Sequence, residues 1–158
     1  MLLLLFQIAG DRFGLDADSV IEITPLVELR VLPRAPAHVA GLMNYRGAVT
    51  PVVDLTALLT GKSAQKYLST RIVIVLFPGH DGKDHPLGLM AEHVTETRSF
   101  KPGDLRPAGV DVKAAPFLGE VALDPRGGGM IQRVRVDAIL PEEVRKTLFA
   151  LIAKAENA

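Results

Sequence analysis

The chain has 158 residues, 48% hydrophobic and 23% charged, a composition typical of one folded domain with a sizeable core. Its 18 basic and 18 acidic residues cancel, so we expect proteins or neutral ligands as partners and no nucleic acid. The chain contains no cysteine, which excludes disulfides, thiolate metal sites and a cysteine nucleophile, and which fits a reducing cytoplasm.

The leading apolar run, Met1 to Phe6, predicts a buried first strand. No basic region precedes it, and the charged residues Asp11 and Arg12 follow closely, which is unlike a signal peptide. No later stretch approaches the roughly 18 to 20 apolar residues of a membrane helix, so we expect no direct membrane insertion.

The first half of the chain predicts short strands separated by turn residues. Strands at 2–8 and 12–15 flank Gly10 and form a hairpin, because glycine tolerates positive φ. Val20 to Thr24 alternates in polarity and stops at Pro25, which lacks a backbone donor. Residues 29–36 contain two prolines and suit an edge strand or connection.

A second hairpin is predicted at residues 39–55. Apolar runs at 39–43 and 48–55 flank a turn from Asn44 to Gly47. Asp54 is placed to cap a short helix through Leu59, and Gly61 is placed to end it.

The second half continues the strand pattern and ends in a helix. Its predicted parts are a strand at 71–77, a charged hairpin loop at 78–86, strands at 87–91 and 94–99, and a hairpin formed by 117–123 and 130–136. From Pro141 the apolar spacing becomes helical, which predicts an amphipathic helix with one apolar face. That face contains Val144, Leu148, Leu151, Ile152 and Ala155.

Many short strands with one terminal helix favour an all-β protein, built as a barrel or a pair of barrels. Barrels are favoured because closing a sheet on itself removes its exposed edges.

The segment from Val39 to Asp54 carries the most specific motif. It reads Val-Ala-Gly-Leu-Met-Asn-Tyr-Arg-Gly-Ala-Val-Thr-Pro-Val-Val-Asp and resembles the signature of CheW-like domains. The flanking segments Phe13-Gly-Leu, Val20-Ile-Glu-Ile, Thr70 to Leu76 and Leu87-Gly-Leu follow in the order of that family, so the resemblance spans roughly residues 3 to 140.

The resemblance implies a specific architecture. It consists of two SH3-like five-stranded β-barrels packed on a shared core, with a short helix after the first barrel and a C-terminal amphipathic helix. We expect the domain to occupy residues 1–150, with the helix end and tail at 151–158.

The resemblance also implies a function without catalysis or cofactor. CheW-like adaptors join the cytoplasmic tip of methyl-accepting chemoreceptors to the regulatory domain of a CheA-like histidine kinase, in chemotaxis or other chemosensory signal transduction. Two features depart from the family pattern. The loop at 78–86 is longer and more charged than usual, and Gln132, Arg133 and Arg135 place polar groups in a closing strand.

Arg46 is the leading candidate for partner binding, since a guanidinium offers five donors in a rigid fork. The resemblance implies that it contacts the receptor, together with Asn44 and Gly47 of the same turn. The alternative is that Arg46 only braces its hairpin by pairing with Asp54, and that Asn44 and Gly47 only form the turn.

Val20 and Glu22 complete the predicted partner-binding surface, because the resemblance places them where such adaptors meet receptor or kinase. Strand alternation puts both on the face opposite Ile21 and Ile23, so we expect Val20 to be an exposed apolar residue beside an acid. The alternative is a surface valine without a role.

Other chemistries have less support. The histidines at positions 38, 80, 85 and 93 lack the spacing of a metal site. The glycines at 127–129 are not followed by the Gly-Lys-Ser/Thr of a phosphate loop. The rival hypothesis is a small-molecule-binding or hydrolytic β-barrel, with Asp81, Asp84 and His85 as acid and base.

Overall fold

The computed structural model of the protein describes residues 1–79, 81–108, 115–124, 126, 127 and 129–156, with the side chain of Ala155 excepted. Within these residues the chain forms short strands, a short helix and a C-terminal helix. In chain order these elements are β1 (Leu2–Ile8), β2 (Asp11–Asp16), β3 (Val20–Pro25), β4 (Val39–Tyr45), β5 (Ala48–Asp54), α1 (Leu55–Thr60), β6 (Arg71–Pro78), β7 (Asp84–Ser99), β8 (Leu105–Arg106), β9 (Leu118–Leu123), β10 (Met130–Val134) and α2 (Glu142–Glu156). No helix in this described part is long and apolar enough to cross a membrane.

The strands form two groups that share β7. The first group contains β3, β4, β5, β6 and residues 84–91 of β7. The second contains β1, β2, β8, β9, β10 and residues 92–99 of β7. The predicted all-β class, with a short helix and a C-terminal helix, is confirmed. The closure of each group into an SH3-like barrel remains a prediction.

The predicted division of β7 into two strands is wrong, because one strand of 16 residues runs from Asp84 to Ser99. Its first part pairs with β6 up to the couple Arg71 and Ala91, and its second part pairs with β1 down to Leu2 and Ser99. His93 has a φ of 51°, and the register of β1 shifts beside it. Such a bulge bends a strand while its pairing continues on both sides, so the polar residues in the middle of this segment do not end the strand.

The predicted loop at 78–86 is also shorter in the structure. Strand pairing continues to Pro78 and Asp84, so only residues 79–83 connect the two strands. The amide of Gly79 donates to the carbonyl of Lys83 at 2.7 Å. The strands can extend into this polar segment because the last residue pair before the turn, Pro78 and Asp84, is exposed to solvent. His80 lies outside the described residues.

Residues 29–36, predicted as an edge strand or a connection, belong in the structure to the connection between β3 and β4. Within it, an isolated bridge joins Arg30 to Leu42 of β4, with backbone bonds of 2.9 and 2.7 Å.

Both groups and α2 contribute to one large core. Phe6 and Phe13 come from the second group, and Val73 and Leu89 come from the first; all are at most 5% exposed. The predicted apolar face of α2 packs onto this core through Leu148, which is fully buried. A shared core with a C-terminal helix is therefore present.

The predicted capping of α1 is confirmed. The Asp54 carboxylate accepts from the amide of Ala57 at 3.1 Å, and Gly61 ends the helix with a φ of 79°. The second carboxylate oxygen accepts from the amide of Ala64 at 2.9 Å. Asp54 therefore holds both the helix start and the segment that follows the helix.

Candidate functional site

The β4–β5 turn positions Arg46 at the tip of its hairpin. Tyr45 pairs with Ala48, which leaves Arg46 and Gly47 as a two-residue loop with φ angles of 50° and 87°. Positive φ at both positions is typical of a type I′ turn, whose twist matches that of the flanking strands. The amide of Gly47 donates to the side-chain oxygen of Asn44 at 2.8 Å. Asn44 and Gly47 thus shape the turn that presents Arg46.

Arg46 forms an ion pair with Glu22, 2.5 Å between Nη2 and Oε1. The expected alternative, a pair with Asp54, is wrong, because the Asp54 carboxylate is buried and accepts from the two amides described above. The hydrogen bond and the charge of Glu22 raise the pKa of Arg46 above its ordinary value. Like any arginine, it is charged at physiological pH.

The ion pair between Arg46 and Glu22 connects β3 to the β4–β5 turn within the first group. Among the described strands, β3 pairs with β6, whereas β4 pairs with β5. Glu22 lies on β3 and Arg46 lies on the β4–β5 turn, so their ion pair links edges that strand pairing leaves apart.

Arg46 remains available to a partner while it holds Glu22. Its side chain is 74% exposed, and its guanidinium lies 5.7 Å from the centre of the Tyr45 ring. A guanidinium has five N–H donors, and the bond to Glu22 uses one of them. The arrangement can therefore present a fixed, oriented cation to a carboxylate or a carbonyl oxygen.

The expectation that Val20 is exposed is wrong. Val20 is half-buried and packs against the large core, whereas Ile21 and Ile23 are 48% and 40% exposed. The register with β6 shifts between Val20 and Glu22, which leaves Ile21 unpaired on a bulge. Alternation separated the two faces correctly, but both carry aliphatic residues, so it could not tell which face meets solvent. Ile21 and Ile23 are the apolar side chains that sequence reasoning missed.

The charged closing strand forms an ion-pair cluster. Arg133 contacts Asp16 at 2.5 Å and Glu120 at 3.1 Å, and Arg135 contacts Glu120 at 3.0 Å. Hydrogen bonding to Asp16 raises the pKa of Arg133, and hydrogen bonding from Arg135 lowers the pKa of Glu120. These side chains line a groove of about 640 Å³ together with Leu76. The arginines that depart from the family pattern thus form ion pairs, and Arg133 and Arg135 line the wall of this groove.

The residues of the rival enzyme hypothesis meet only in part. Nε2 of His85 lies 3.0 and 3.1 Å from the carboxylate oxygens of Asp81, and this contact lowers the pKa of Asp81. Asp84 is exposed and pairs with Pro78 at the start of β7. The ring of His85 packs 4.9 Å from that of Phe149. The packing of His85 against Phe149 thus links the β6–β7 hairpin to α2.

No group of three His, Cys, Asp or Glu side chains that could hold a metal is found among the described residues. Of the four histidines considered above, His80 lies outside them.

Comparison with known proteins gives consistent matches along the chain. The family model described as CheW-like domain matches residues 2–144. The chain is 29% identical over 147 residues to the chemotaxis protein CheW of Rhizobium meliloti (strain 1021), covering 91% of this chain and 90% of that protein. It is 32% identical over 118 residues to protein FrzA of Myxococcus xanthus, covering 73% and 71%.

A solved structure shows the same fold. The crystal structure of the scaffolding protein TtCheW from Thermoanaerobacter tengcongensis matches with a TM-score of 0.79 at 24% identity. The match covers 93% of this chain and 92% of that one.

Proposed function

Because the chain belongs to the CheW-like domain family, we propose that it is a non-catalytic adaptor that couples chemoreceptors to a CheA-like histidine kinase. Its partners are the cytoplasmic tip of a methyl-accepting receptor and the regulatory domain of the kinase, so it works in the cytoplasm. No cofactor takes part in this function.

The observation that carries the proposal is the Arg46–Glu22 pair at the hairpin tip. The left-handed turn and the ion pair together hold a largely exposed guanidinium in one position. Such a donor suits a carboxylate or a helix-end carbonyl on a receptor tip. Asn44 and Gly47 contribute by shaping the turn.

The strand that carries Glu22 also presents exposed apolar side chains. Val20 anchors β3 to the core, while Ile21 and Ile23 stand in solvent on the other face. Ile21 and Ile23 therefore provide a separate apolar contact on the face of β3 away from Glu22.

Coupling requires only a difference in binding free energy. An adaptor changes kinase output if it binds the active and inactive states unequally, and about 1–3 kcal/mol is typical of such coupling. A rigid scaffold supplies that difference through geometry, without bond chemistry.

The test is co-sedimentation with a purified receptor signalling domain and a CheA-type kinase. We expect the wild-type protein to bind both, and Arg46→Ala to lose receptor binding. The matched control is Arg106→Ala, which removes an exposed arginine from β8 in the second group. A wild-type protein that fails to bind the receptor, or fails to bind the kinase, would falsify the adaptor function. Unchanged receptor binding by Arg46→Ala would leave the adaptor function standing and refute the assigned site.

A further inference from the structure

The connection between α1 and β6 presents an aliphatic side chain to solvent. We call residues 61–70 the Leu68 loop. Leu68 is fully exposed at 102%, and its neighbour Tyr67 is 46% exposed. Single exposed leucines are common on protein surfaces. The significance of this one depends on how the loop holds it.

The tip of the loop is closed by its own hydrogen bonds. The amide of Thr70 donates to the carbonyl of Tyr67 at 3.1 Å, and the amide of Tyr67 donates to Oγ1 of Thr70 at 3.0 Å. The same hydroxyl donates to the carbonyl of Gln65 at 2.5 Å, and Thr70 is buried. Leu68 therefore stands on a turn that is bonded on both sides.

Neighbouring elements fix the loop further. The amide of Val94 donates to the carbonyl of Ser69 at 3.0 Å, and the ring of Tyr67 stacks 4.6 Å from that of His93. Asp54 holds the amide of Ala64, as described above. A backbone that is already ordered loses little conformational entropy when its side chain docks, which favours binding.

The charged residues of the Leu68 loop itself are all basic. Residues 61–71 contain the exposed cations Lys62, Lys66 and Arg71, and no acidic residue. The neighbouring acid Glu92 of β7 is buried and accepts from Oγ1 of Thr56 at 2.9 Å. Glu28 and the buried Asp54 line a groove with Lys66 on one side of the loop, and Glu96 lines a groove with Arg71 on another. The loop itself thus combines one fully exposed leucine with two exposed lysines and no acidic residue.

The Leu68 loop and Arg46 lie at opposite ends of β5. The strand begins after the Arg46 turn and ends at Asp54, where α1 and the loop follow. Its seven residues separate these ends by about 20 Å, at about 3.3 Å per residue. The two ends are therefore distinct regions of the first group's surface.

We propose that the Leu68 loop is a second docking surface, which inserts Leu68 into an apolar pocket rimmed by carboxylates on the regulatory domain of the kinase. This assignment rests on the proposed function, which gives the Arg46 end to the receptor and leaves the opposite end of β5 for the other partner. A protein pocket suits the loop better than a bilayer does, because the loop offers a single fully exposed aliphatic side chain while Tyr67 is held against His93, and membrane binding requires a larger apolar area.

The test measures dissociation constants for the purified kinase and for the receptor signalling domain. We expect Leu68→Ser to raise the dissociation constant for the kinase about tenfold or more, as for an interface anchor, and to leave receptor binding unchanged. Lys66→Glu weakens kinase binding as well and reduces its dependence on salt. Val31→Ser is the matched control, since Val31 is 77% exposed and lies outside the loop. We expect the control to bind the kinase like the wild-type protein.

The outcomes separate the two proposals. Wild-type protein that does not bind the kinase contradicts the proposed function, and the docking surface falls with it. Kinase binding that is equal in the wild-type protein and Leu68→Ser contradicts the docking surface alone. A third arm uses vesicles containing phosphatidylglycerol. If Leu68→Ser loses vesicle binding but keeps kinase binding, the loop contacts membrane and the proposal is overturned.

Discussion

Replacing Asp54 with alanine tests whether one buried carboxylate organises the end of β5. This aspartate ends the Pro-x-x-Asp part of the motif and is 5% exposed. One oxygen caps α1 at the amide of Ala57, and the other accepts from the amide of Ala64. We therefore expect Asp54→Ala to remove two hydrogen bonds at once.

The magnitude follows from those two bonds. Loss of a helix N-cap costs about 0.5–2 kcal/mol. Leaving the buried amide of Ala64 without an acceptor costs about 1–3 kcal/mol more. We expect the free energy of unfolding to fall by about 2–4 kcal/mol, a large part of the roughly 5–15 kcal/mol of a typical domain. The melting temperature should fall by about 2–4 °C for each kcal/mol in a chain of this size.

The assay is urea unfolding followed by circular dichroism. Asp54→Asn keeps one carbonyl acceptor and should lose about half as much stability as Asp54→Ala. The control Asp84→Ala removes an exposed carboxylate and should change the free energy by no more than about 0.5 kcal/mol. A loss below about 1.5 kcal/mol for Asp54→Ala, less than the lower limits of the two contributions added together, would refute the two-bond role.

The other two predictions concern the core and the dependence on pH. Val73→Asp should unfold the protein, because Val73 is fully buried and the new carboxylate would lack a partner; an intact circular dichroism spectrum would contradict the core assignment. Asp124 accepts hydrogen bonds from Arg12 and the amide of Arg126 and pairs with Arg98, and these contacts hold its pKa well below the ordinary value. A lowered folded-state pKa stabilises the protein at neutral pH, and that stabilisation disappears as the pH falls below about 4. Asp124→Asn should therefore be less stable than wild type at pH 7, and urea titrations should show the difference narrowing toward pH 3; a constant difference would contradict the assignment.

Features set by a few adjacent residues could be predicted from the sequence. The Arg46-Gly47 and Ala9-Gly10 turns lie where strand pairing needs positive φ. The start and end of α1 follow from Asp54 and Gly61 alone. Such signals need no knowledge of tertiary packing, because capping and turn geometry are local.

Features that depend on distant contacts could not be predicted. Glu22 and Arg46 are 24 positions apart, and their pairing depends on how β3 approaches the β4–β5 turn. The exposure of Ile21 and Ile23 depends on which side of β3 the core lies. The continuity of β7 depends on a bulge at His93 that allows one strand to pair with two neighbours in succession.

The shared strand β7 has a mechanical consequence. Its backbone is hydrogen bonded to β6 up to Ala91 and to β1 from Glu92 onward, and both groups pack into one core, so a hinge between them would have to bend β7 at this junction and disturb the core. A change in the angle between the two groups is therefore opposed by the packing of the shared core as well as by the strand.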